Sequence, residues 1–156
     1  TAIQANDLVG RKTSRDGGQT AKAIARQIEH TEAALAGSAS AAAQSMRKRL
    51  RAAREAFEQV VDFVAGNTKA SPNAVFAGSV PYLMLAGNLM AGWQLARALL
   101  AAERQLAQGE ADKPFLTAKV ATARFYAEHI LSKVPGLRDA IVEGGDSVTA
   151  LPVEAF

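Results

Sequence analysis

Apolar residues recur every three or four positions along most of this chain, and that spacing predicts helices. The clearest stretch runs from Ser40 to Ala65, where one face is apolar and the other charged: Met46, Leu50, Ala53, Phe57, Val60, Val61 and Val64. An earlier helix is predicted from Gln19 to Ala36, and it should end near Gly37. Its core positions are Ala23, Ile24, Ile28 and Leu35, with Arg26, Glu29 and Glu32 on the opposite side. These stretches predict two amphipathic helices.

Glycine and proline divide the rest of the chain. The run Arg15-Asp16-Gly17-Gly18 predicts a turn after a short helical lead-in over 1–18. Gly66-Asn67 predicts the end of the second helix. Ser71 and Pro72 then supply a capping hydroxyl and a first-turn proline. We expect a long third helix from there to about Gln108, bent at Pro81.

The fourth predicted helix follows Asp112 as its cap, with Pro114 in its first turn. Two of its faces lean apolar. One carries Phe115, Ala118, Thr122, Phe125 and His129, and the other carries Leu116, Val120, Ala123, Ala127, Ile130 and Val134. We therefore expect this helix to contact more than one neighbour. Pro135-Gly136 predicts its end, followed by a short helix to Glu143 and a terminal segment to Phe156.

The pattern as a whole predicts an all-α protein. No alternating Val, Ile and Thr run indicates a strand, and the chain is rich in Ala, with only 6% aromatic residues. We expect an antiparallel multi-helix bundle of the four-helix type with short terminal helices. At 156 residues it forms one compact unit, which we divide into a lead-in, 1–18, and a bundle domain, 19–156.

The segment Ala70–Ala96 contains no charged residue, so a membrane span has to be weighed. Its amides and hydroxyls would be costly in lipid. We therefore interpret it as a central helix buried on nearly all sides, part of which could be a subunit interface. Its small residues suit close helix contact: Gly78, Gly87, Ala91 and Gly92. An unpaired charge in Leu85→Asp or Leu89→Asp would then abolish soluble folding.

Positive charge is concentrated in the first third of the chain. Residues 1–54 hold ten Lys and Arg against four Asp and Glu, whereas 55–156 hold eight against eleven. A basic stripe contributes to this excess: Arg47, Lys48, Arg49, Arg51 and Arg54. It could bind nucleic acid or another anionic partner, or meet an acidic protein surface. It could equally be a solvated face, in which Glu55 and Glu58 pair with Arg51 and Arg54 at helical spacing.

Residues for catalysis or metal binding are scarce. The chain has no Cys, so we expect neither a disulfide nor a thiolate metal site, and a reducing cytoplasm is the simplest location. His30 and His129 each follow a Glu directly, whereas di-metal bundles need Glu-x-x-His to place both ligands on one helix face. We expect surface or partly buried histidines, no metal site and no catalytic residue within the chain.

The two ends of the chain carry a resemblance to a known family. The opening Thr-Ala-Ile-Gln-Ala-Asn-Asp-Leu-Val-Gly-Arg-Lys, Thr1 to Lys12, resembles the segment of acyl-CoA dehydrogenases just after their Tyr-Glu-Gly-Thr motif. The stretch from Gly144 to Phe156 resembles the tail of bacterial members with an extra C-terminal helical domain. The resemblance implies that the chain is a piece of such an enzyme. The catalytic Glu would lie a few residues before Thr1.

Acyl-CoA dehydrogenases abstract an α-proton from an acyl-CoA thioester with that Glu while a hydride passes to FAD. By resemblance, Thr1, Ala2 and Gln4 would be remnants of the flavin site, Ala2 through its backbone alone. The resemblance implies a structural or interface role, partnered by the rest of the dehydrogenase and assembled as a homo-oligomer. An acyl-CoA substrate and electron-transfer flavoprotein would serve the parent, and the chain alone would be inactive and hold no flavin. A stand-alone module binding an anionic partner through the basic stripe remains the alternative.

Overall fold

Helices make up nearly all of the computed structural model, which describes residues 1–109, 112–148 and 150–155 and contains no strand within them. The prediction of an all-α fold is confirmed. In chain order the elements are α1 (Ala2–Asp7), a π-helical segment (Leu8–Ser14), α2 (Gln19–Ala36), α3 (Ala41–Asn67), α4 (Pro72–Ala77), α5 (Ser79–Ala107), α6 (Lys113–His129), a 3-10 turn (Leu131–Lys133), α7 (Val134–Val142), α8 (Gly145–Val148) and a final 3-10 turn (Val153–Ala155). Thr149 and Phe156, in the tail discussed above, lie outside the described residues.

Side chains cap two of the long helices, and the predicted cap at Asp112 is confirmed. The Ser40 hydroxyl accepts a hydrogen bond from the Ala43 N–H at 3.0 Å and caps α3. Asp112 Oδ1 accepts one from the Phe115 N–H at 3.1 Å and caps α6. Both bonds satisfy N–H groups that have no partner inside the helix. The predicted end of the fourth helix at Pro135-Gly136 is wrong, because α6 ends at His129 and Pro135 lies in the first turn of α7.

The helix α3 lies at the centre of the bundle and contacts α2, α5, α6 and α7. Its predicted core face is fully or almost fully buried: Met46, Leu50, Ala53, Phe57, Val60, Val61 and Val64. Each large apolar side chain removed from water in this way stabilises the fold by roughly 1.5–3 kcal/mol. The four long helices α2, α3, α5 and α6 therefore share one core.

Polar contacts join the long helices at their margins. The Trp93 indole N–H donates to the Thr31 hydroxyl at 2.8 Å and links α5 to α2. The Tyr126 hydroxyl donates to the Asn88 carbonyl at 3.2 Å and links α6 to α5. The carboxylate of Glu103 on α5 accepts from the hydroxyls of Ser38 and Ser40, just before α3. These bonds orient helices whose apolar contacts alone are not directional.

The predicted long third helix is interrupted at Gly78, so the expected bend at Pro81 is wrong. A Cβ at Gly78 would lie 2.8 Å from Ile141 Cγ2, because α7 packs directly on the backbone there. Pro81 falls in the first turn of α5, where its missing N–H costs no helical hydrogen bond. The Ser71 side chain makes no capping hydrogen bond to α4, contrary to prediction.

The uncharged part of α5, up to Ala96, is buried on one side only. Leu85 and Leu89 are fully buried, but Val80 and Met84 are 41% and 52% exposed, so the expectation of burial on nearly all sides is wrong. The close approach expected at the small residues occurs at Gly78 and at Gly92, where a Cβ would lie 2.7 Å from Leu131 Cδ2. It is wrong for Gly87 and Ala91, which are exposed. Across the described residues, every helix is too short or too polar to cross a lipid bilayer.

The lead-in packs on the bundle through a π-helical segment that the sequence did not predict. The Gly18 N–H donates to the Thr13 carbonyl at 2.8 Å, the five-residue spacing of a wide helical turn. Ala5 and Val9 are fully buried, and the Thr13 hydroxyl lies 2.8 Å from the Tyr82 hydroxyl on α5. The first 18 residues are thus fastened to the bundle by apolar contacts and a buried hydrogen bond.

Only one of the two apolar faces of α6 is packed. Leu116, Ala123 and Ala127 are buried against the bundle. On the other face, Phe115 is 54% and Phe125 59% exposed. The prediction that this helix contacts more than one neighbour is confirmed, since α6 contacts both α3 and α5, but it does so through one of its two apolar faces.

Candidate functional site

The residues that resemblance placed near a flavin lie together at the start of the chain. Thr1 precedes α1 and makes no side-chain cap, while its carbonyl accepts from the Ala5 N–H at 2.9 Å. Thr1, Ala2 and Gln4 are all exposed on the first turn of α1. The hydroxyl of Thr1 and the amide of Gln4 thus face outward on a segment anchored by Ala5 below them.

An open groove of about 450 Å³ lies beside these residues. Ile3, 83% exposed, forms one apolar wall and Leu83 on α5 forms another. Leu8 and several polar residues line the rest, among them Asp7 and Arg11, which form a partly exposed ion pair at 3.1 Å. Val80 and Met84, which lie within one helical turn of Leu83 on α5, are also exposed. We call Ile3, Val80, Leu83 and Met84 the lead-in patch.

A smaller apolar cavity of about 170 Å³ lies between the lead-in and the helices α2, α3 and α5. Its lining includes Leu8, Ile24 and Phe57, with the hydrogen-bonded Thr13 and Tyr82 hydroxyls among them. Burial raises the pKa of the Tyr82 phenol above its ordinary value, and the hydrogen bond with Thr13 opposes that shift. The phenol therefore stays neutral and acts as a structural group.

The basic stripe of α3 does not form one open face. Arg47, Lys48 and Arg51 are exposed, but Arg54 is buried against α2. Arg54 Nε donates to Glu32 Oε1 at 2.7 Å, so Glu32, predicted on the polar side of α2, is also buried. Both are corrections to the sequence interpretation.

The helical ion pairs predicted for this stripe are confirmed. Arg51 Nε lies 2.9 Å from Glu55 Oε1, and Arg54 Nη1 lies 2.7 Å from Glu58 Oε2. The adjacent cleft of about 240 Å³ also contains Glu29 and Glu32. Carboxylates therefore offset the charge of Arg51 and Arg54, whereas Arg47 and Lys48 line a second open cleft together with Gln44.

The two histidines lie apart from each other on α2 and α6, and both are exposed, as predicted. The His129 ring stacks on Phe125 with 4.6 Å between ring centroids. Among the residues that the structure describes, no three His, Cys, Asp or Glu side chains are placed to hold a metal ion.

Sequence reasoning missed the buried Glu32–Arg54 pair, although a signal was present. Ala25, Ile28, Glu32 and Leu35 are spaced by three, four and three residues, and all four are buried. A carboxylate in that apolar series indicates a buried partner. The Thr13–Tyr82 hydrogen bond had no comparable signal, because it joins residues 69 positions apart.

The described residues form a helical bundle with an open groove beside α1. The profile of the family described as "Acetyl-CoA dehydrogenase C-terminal like" matches residues 20–152. The chain belongs to this family of acyl-CoA dehydrogenase C-terminal domains.

Two curated relatives support the same family. Over 148 residues, the chain is 48% identical to 3-methylmercaptopropionyl-CoA dehydrogenase of Ruegeria pomeroyi. The matched stretch covers 95% of this chain and 25% of that protein. It is 31% identical to the broad-specificity linear acyl-CoA dehydrogenase FadE5 of Mycobacterium tuberculosis, over 100% of this chain and 26% of that protein. The chain thus spans about a quarter of the length of these relatives.

Proposed function

We propose that this chain is a structural and interface domain of an FAD-dependent acyl-CoA dehydrogenase, in which it covers the catalytic portion and lacks the catalytic base. The parent would remove hydrogens from the α and β carbons of an acyl-CoA thioester. It would be a cytoplasmic homo-oligomer that passes electrons to an electron-transfer flavoprotein. The family and the names of the two longer relatives support this proposal.

The observation that carries the proposal is the exposure of the lead-in patch. Ile3 and Met84 are 83% and 52% exposed, next to fully buried anchors such as Ala5. Exposed apolar patches of this kind mark protein contacts. We assign the patch to contact with the catalytic portion of the dehydrogenase because Ile3 belongs to the segment whose sequence resembles that next to the flavin, and one groove joins Ile3 to Leu83 of α5.

Thr1, Ala2 and Gln4 would form the edge of that flavin site. The Thr1 hydroxyl and the Gln4 amide carry hydrogen-bond donors suited to a flavin ring, whereas Ala2 offers its backbone. All three are exposed on one helical turn, which suits contact with a cofactor held mainly by other residues. FAD would supply the hydride acceptor, and these residues would help to orient it.

Sequencing the reading frame upstream of Thr1 tests the proposal directly. We expect a Tyr-Glu-Gly-Thr run within five residues, behind several hundred residues of dehydrogenase sequence. A start codon at that place would overturn the proposal and leave an independent helical protein.

The role of the lead-in patch can be tested in the full-length enzyme. We expect Ile3→Glu and Met84→Glu to lower the flavin bound per subunit and the acyl-CoA dehydrogenase activity. A charge in the lead-in patch would separate this domain from the catalytic portion of the enzyme. Val153→Glu is the matched control, since Val153 is 84% exposed and far along the chain from the patch. Full flavin content and activity in both patch variants would contradict the assignment.

A further inference from the structure

The apolar cavity between the lead-in and the bundle has no part in the proposed function. Its volume is about 170 Å³, and it is partly open to solvent. Its walls are mainly apolar side chains from four elements of the fold: Leu8, Ile24, Phe57, Ala86 and Met90. Apolar cavities of about 150 Å³ accept one benzene molecule. The cavity therefore has room for a single six-membered ring with one small substituent.

Two hydroxyl groups that line the cavity share one hydrogen bond and leave one hydrogen unused. Thr13 and Tyr82 are 1% and 0% exposed, and their hydroxyl oxygens lie 2.8 Å apart. Because burial raises the pKa of Tyr82, its side chain keeps its hydrogen at neutral pH. The pair thus holds two hydrogens, of which one makes the shared bond. Among the described residues no acceptor is placed for the other hydrogen, so the wall offers one unused donor and unused lone pairs.

The other polar groups of the lining add little polarity to the interior. The Thr20 hydroxyl donates to Asp16 Oδ2 at 2.6 Å, so its hydrogen is already used. Lys12 is exposed, and its ammonium disfavours a cation in the cavity. The interior is therefore apolar apart from the Thr13–Tyr82 pair, as is typical of small-molecule sites in which a few polar groups fix the ligand.

The π-helical segment contributes three residues to the lining of this cavity: Leu8, Lys12 and Thr13. π-Helical turns are rare in proteins and are found frequently at functional sites. A wide turn beside a partly open apolar cavity is a second indication of ligand binding, and it is independent of the count of hydroxyl hydrogens.

We propose that the cavity binds a small ring compound with one hydroxyl group, of the size of phenol or cyclohexanol. The ring contacts the apolar walls, and the ligand hydroxyl joins the Thr13 and Tyr82 hydroxyls in a closed set of three hydrogen bonds. Each of the three hydroxyls then donates once and accepts once, which uses the spare donor and a spare lone pair of the wall. A hydrocarbon ring of the same size fills the cavity but leaves the buried donor unused.

Two ligands of nearly the same shape test the role of the hydroxyl, since phenol carries one and toluene does not. Each is titrated into this chain while NMR spectra follow the methyl groups of Leu8, Ile24 and Met90. We expect saturable shifts with both, and a dissociation constant for phenol of about 1 mM or below. The variant Thr13→Val/Tyr82→Phe keeps the cavity but removes both hydroxyls, so its affinity for phenol relative to toluene should fall about fivefold or more. An unchanged ratio, or no saturable shift with phenol, overturns the proposal.

A variant that fills the cavity tests the location of the ligand. We expect Ala86→Leu to lower the affinity for phenol about tenfold or more, because the larger side chain takes up the volume that the ring needs. Ala91→Leu is the matched control, since Ala91 lies on the same helix but is exposed and outside the lining. Circular dichroism checks that both variants keep their helix content. Full phenol binding by Ala86→Leu, or an equal loss with Ala91→Leu, overturns the proposal.

The longer dehydrogenase provides a further test of the same site. We expect it to bind phenol as this chain does, because all the lining residues belong to the chain. Loss of binding there would mean that another segment of the enzyme fills the cavity, and it would overturn the proposal. None of these measurements depends on flavin or on activity, so failure of this proposal is distinguishable from failure of the proposed function.

Discussion

Arg54 on α3 holds Glu32 on α2 through two parallel hydrogen bonds inside the protein. Its Nε donates to Oε1 at 2.7 Å and its Nη2 donates to Oε2 at 3.2 Å. Both side chains are about nine-tenths buried. Hydrogen bonding to Glu32 is the main reason that the pKa of Arg54 is raised, while burial opposes it. The pair fixes the relative position of two helices along their length, which apolar contacts do only loosely.

We expect Arg54→Met to lower the free energy of unfolding by about 3 kcal/mol, because it leaves the Glu32 carboxylate buried without its partner. The double variant Glu32→Leu/Arg54→Met should recover most of that loss. Urea unfolding followed by circular dichroism measures both. Arg51→Met is the control, since its pair with Glu55 is exposed and is worth less than about 1 kcal/mol. Equal losses in the two single variants would contradict the buried role of Arg54.

The Thr13–Tyr82 hydrogen bond should appear as a coupling between the lead-in and α5. Thr13→Val and Tyr82→Phe should each lower the free energy of unfolding by about 1 kcal/mol, because each leaves one buried hydroxyl unpaired. The double variant should lose less than the sum of the two. Additive losses in urea unfolding would mean that the hydroxyls do not interact in solution.

The same tyrosine predicts a dependence of stability on alkaline pH. Burial raises the pKa of Tyr82 above its ordinary value of 10.0, so the folded chain keeps a proton that the unfolded chain releases. Its stabilising contribution is therefore complete below pH about 10 and is lost as the pH rises toward the folded-state pKa. Between pH 8 and 10.5, the wild type should lose more unfolding free energy than Tyr82→Phe. Tyr126, whose pKa is also raised by burial, is common to both proteins and cancels.

The turn before α2 offers a matched pair of glycines. Gly17 and Gly18 both have positive φ, at 64° and 80°. A Cβ on Gly17 would meet nothing within 4 Å, whereas one on Gly18 would lie 2.5 Å from Val61 Cγ1. We expect Gly17→Ala to cost about 1 kcal/mol from backbone strain alone. Gly18→Ala should cost at least 1 kcal/mol more from the clash. Equal urea unfolding midpoints of the two variants would show that Gly18 does not pack closely against α3.

Adjacent residues of α5 test which of its sides is the core. Leu85 is fully buried and Met84 is 52% exposed. We expect Leu85→Asp, like Leu89→Asp, to abolish soluble folding, because a buried charge would have no partner. Met84→Asp should leave a soluble helical chain. A folded Leu85→Asp protein would contradict the burial of this side.

The elements that the sequence predicted well depend on neighbouring residues. The limits of α2 follow from the turn at Gly18 and the break at Gly37, and the predicted cap at Asp112 bonds an N–H three residues on. Periodicity likewise identified the core face of α3. Such features are encoded within a few turns of the chain, so one sequence suffices to find them.

What could not be predicted depends on contacts between distant segments. Ile141 of α7 packs on Gly78, where α4 gives way to α5, and Arg54 is buried where Glu32 of another helix faces it. Apolar periodicity on α6 showed two faces but not which one the bundle would cover. The flavin-edge role of Thr1 and Gln4 comes from resemblance and stays a prediction. Each of these points needs the arrangement of the helices in space.

The π-helical segment Leu8–Ser14 sets the rotation of α1 about its own axis. Each residue added to or removed from a helix turns the preceding part by about 100° around its axis. Ala5 and Val9 point into the core only at the present setting, which also keeps Ile3 and Gln4 outward. Deleting one residue from this wide turn would swing the first turn of α1 by more than a quarter of a revolution. The seven-residue π-helical segment and the buried contacts of Ala5 and Val9 therefore together set the orientation of α1 on the bundle.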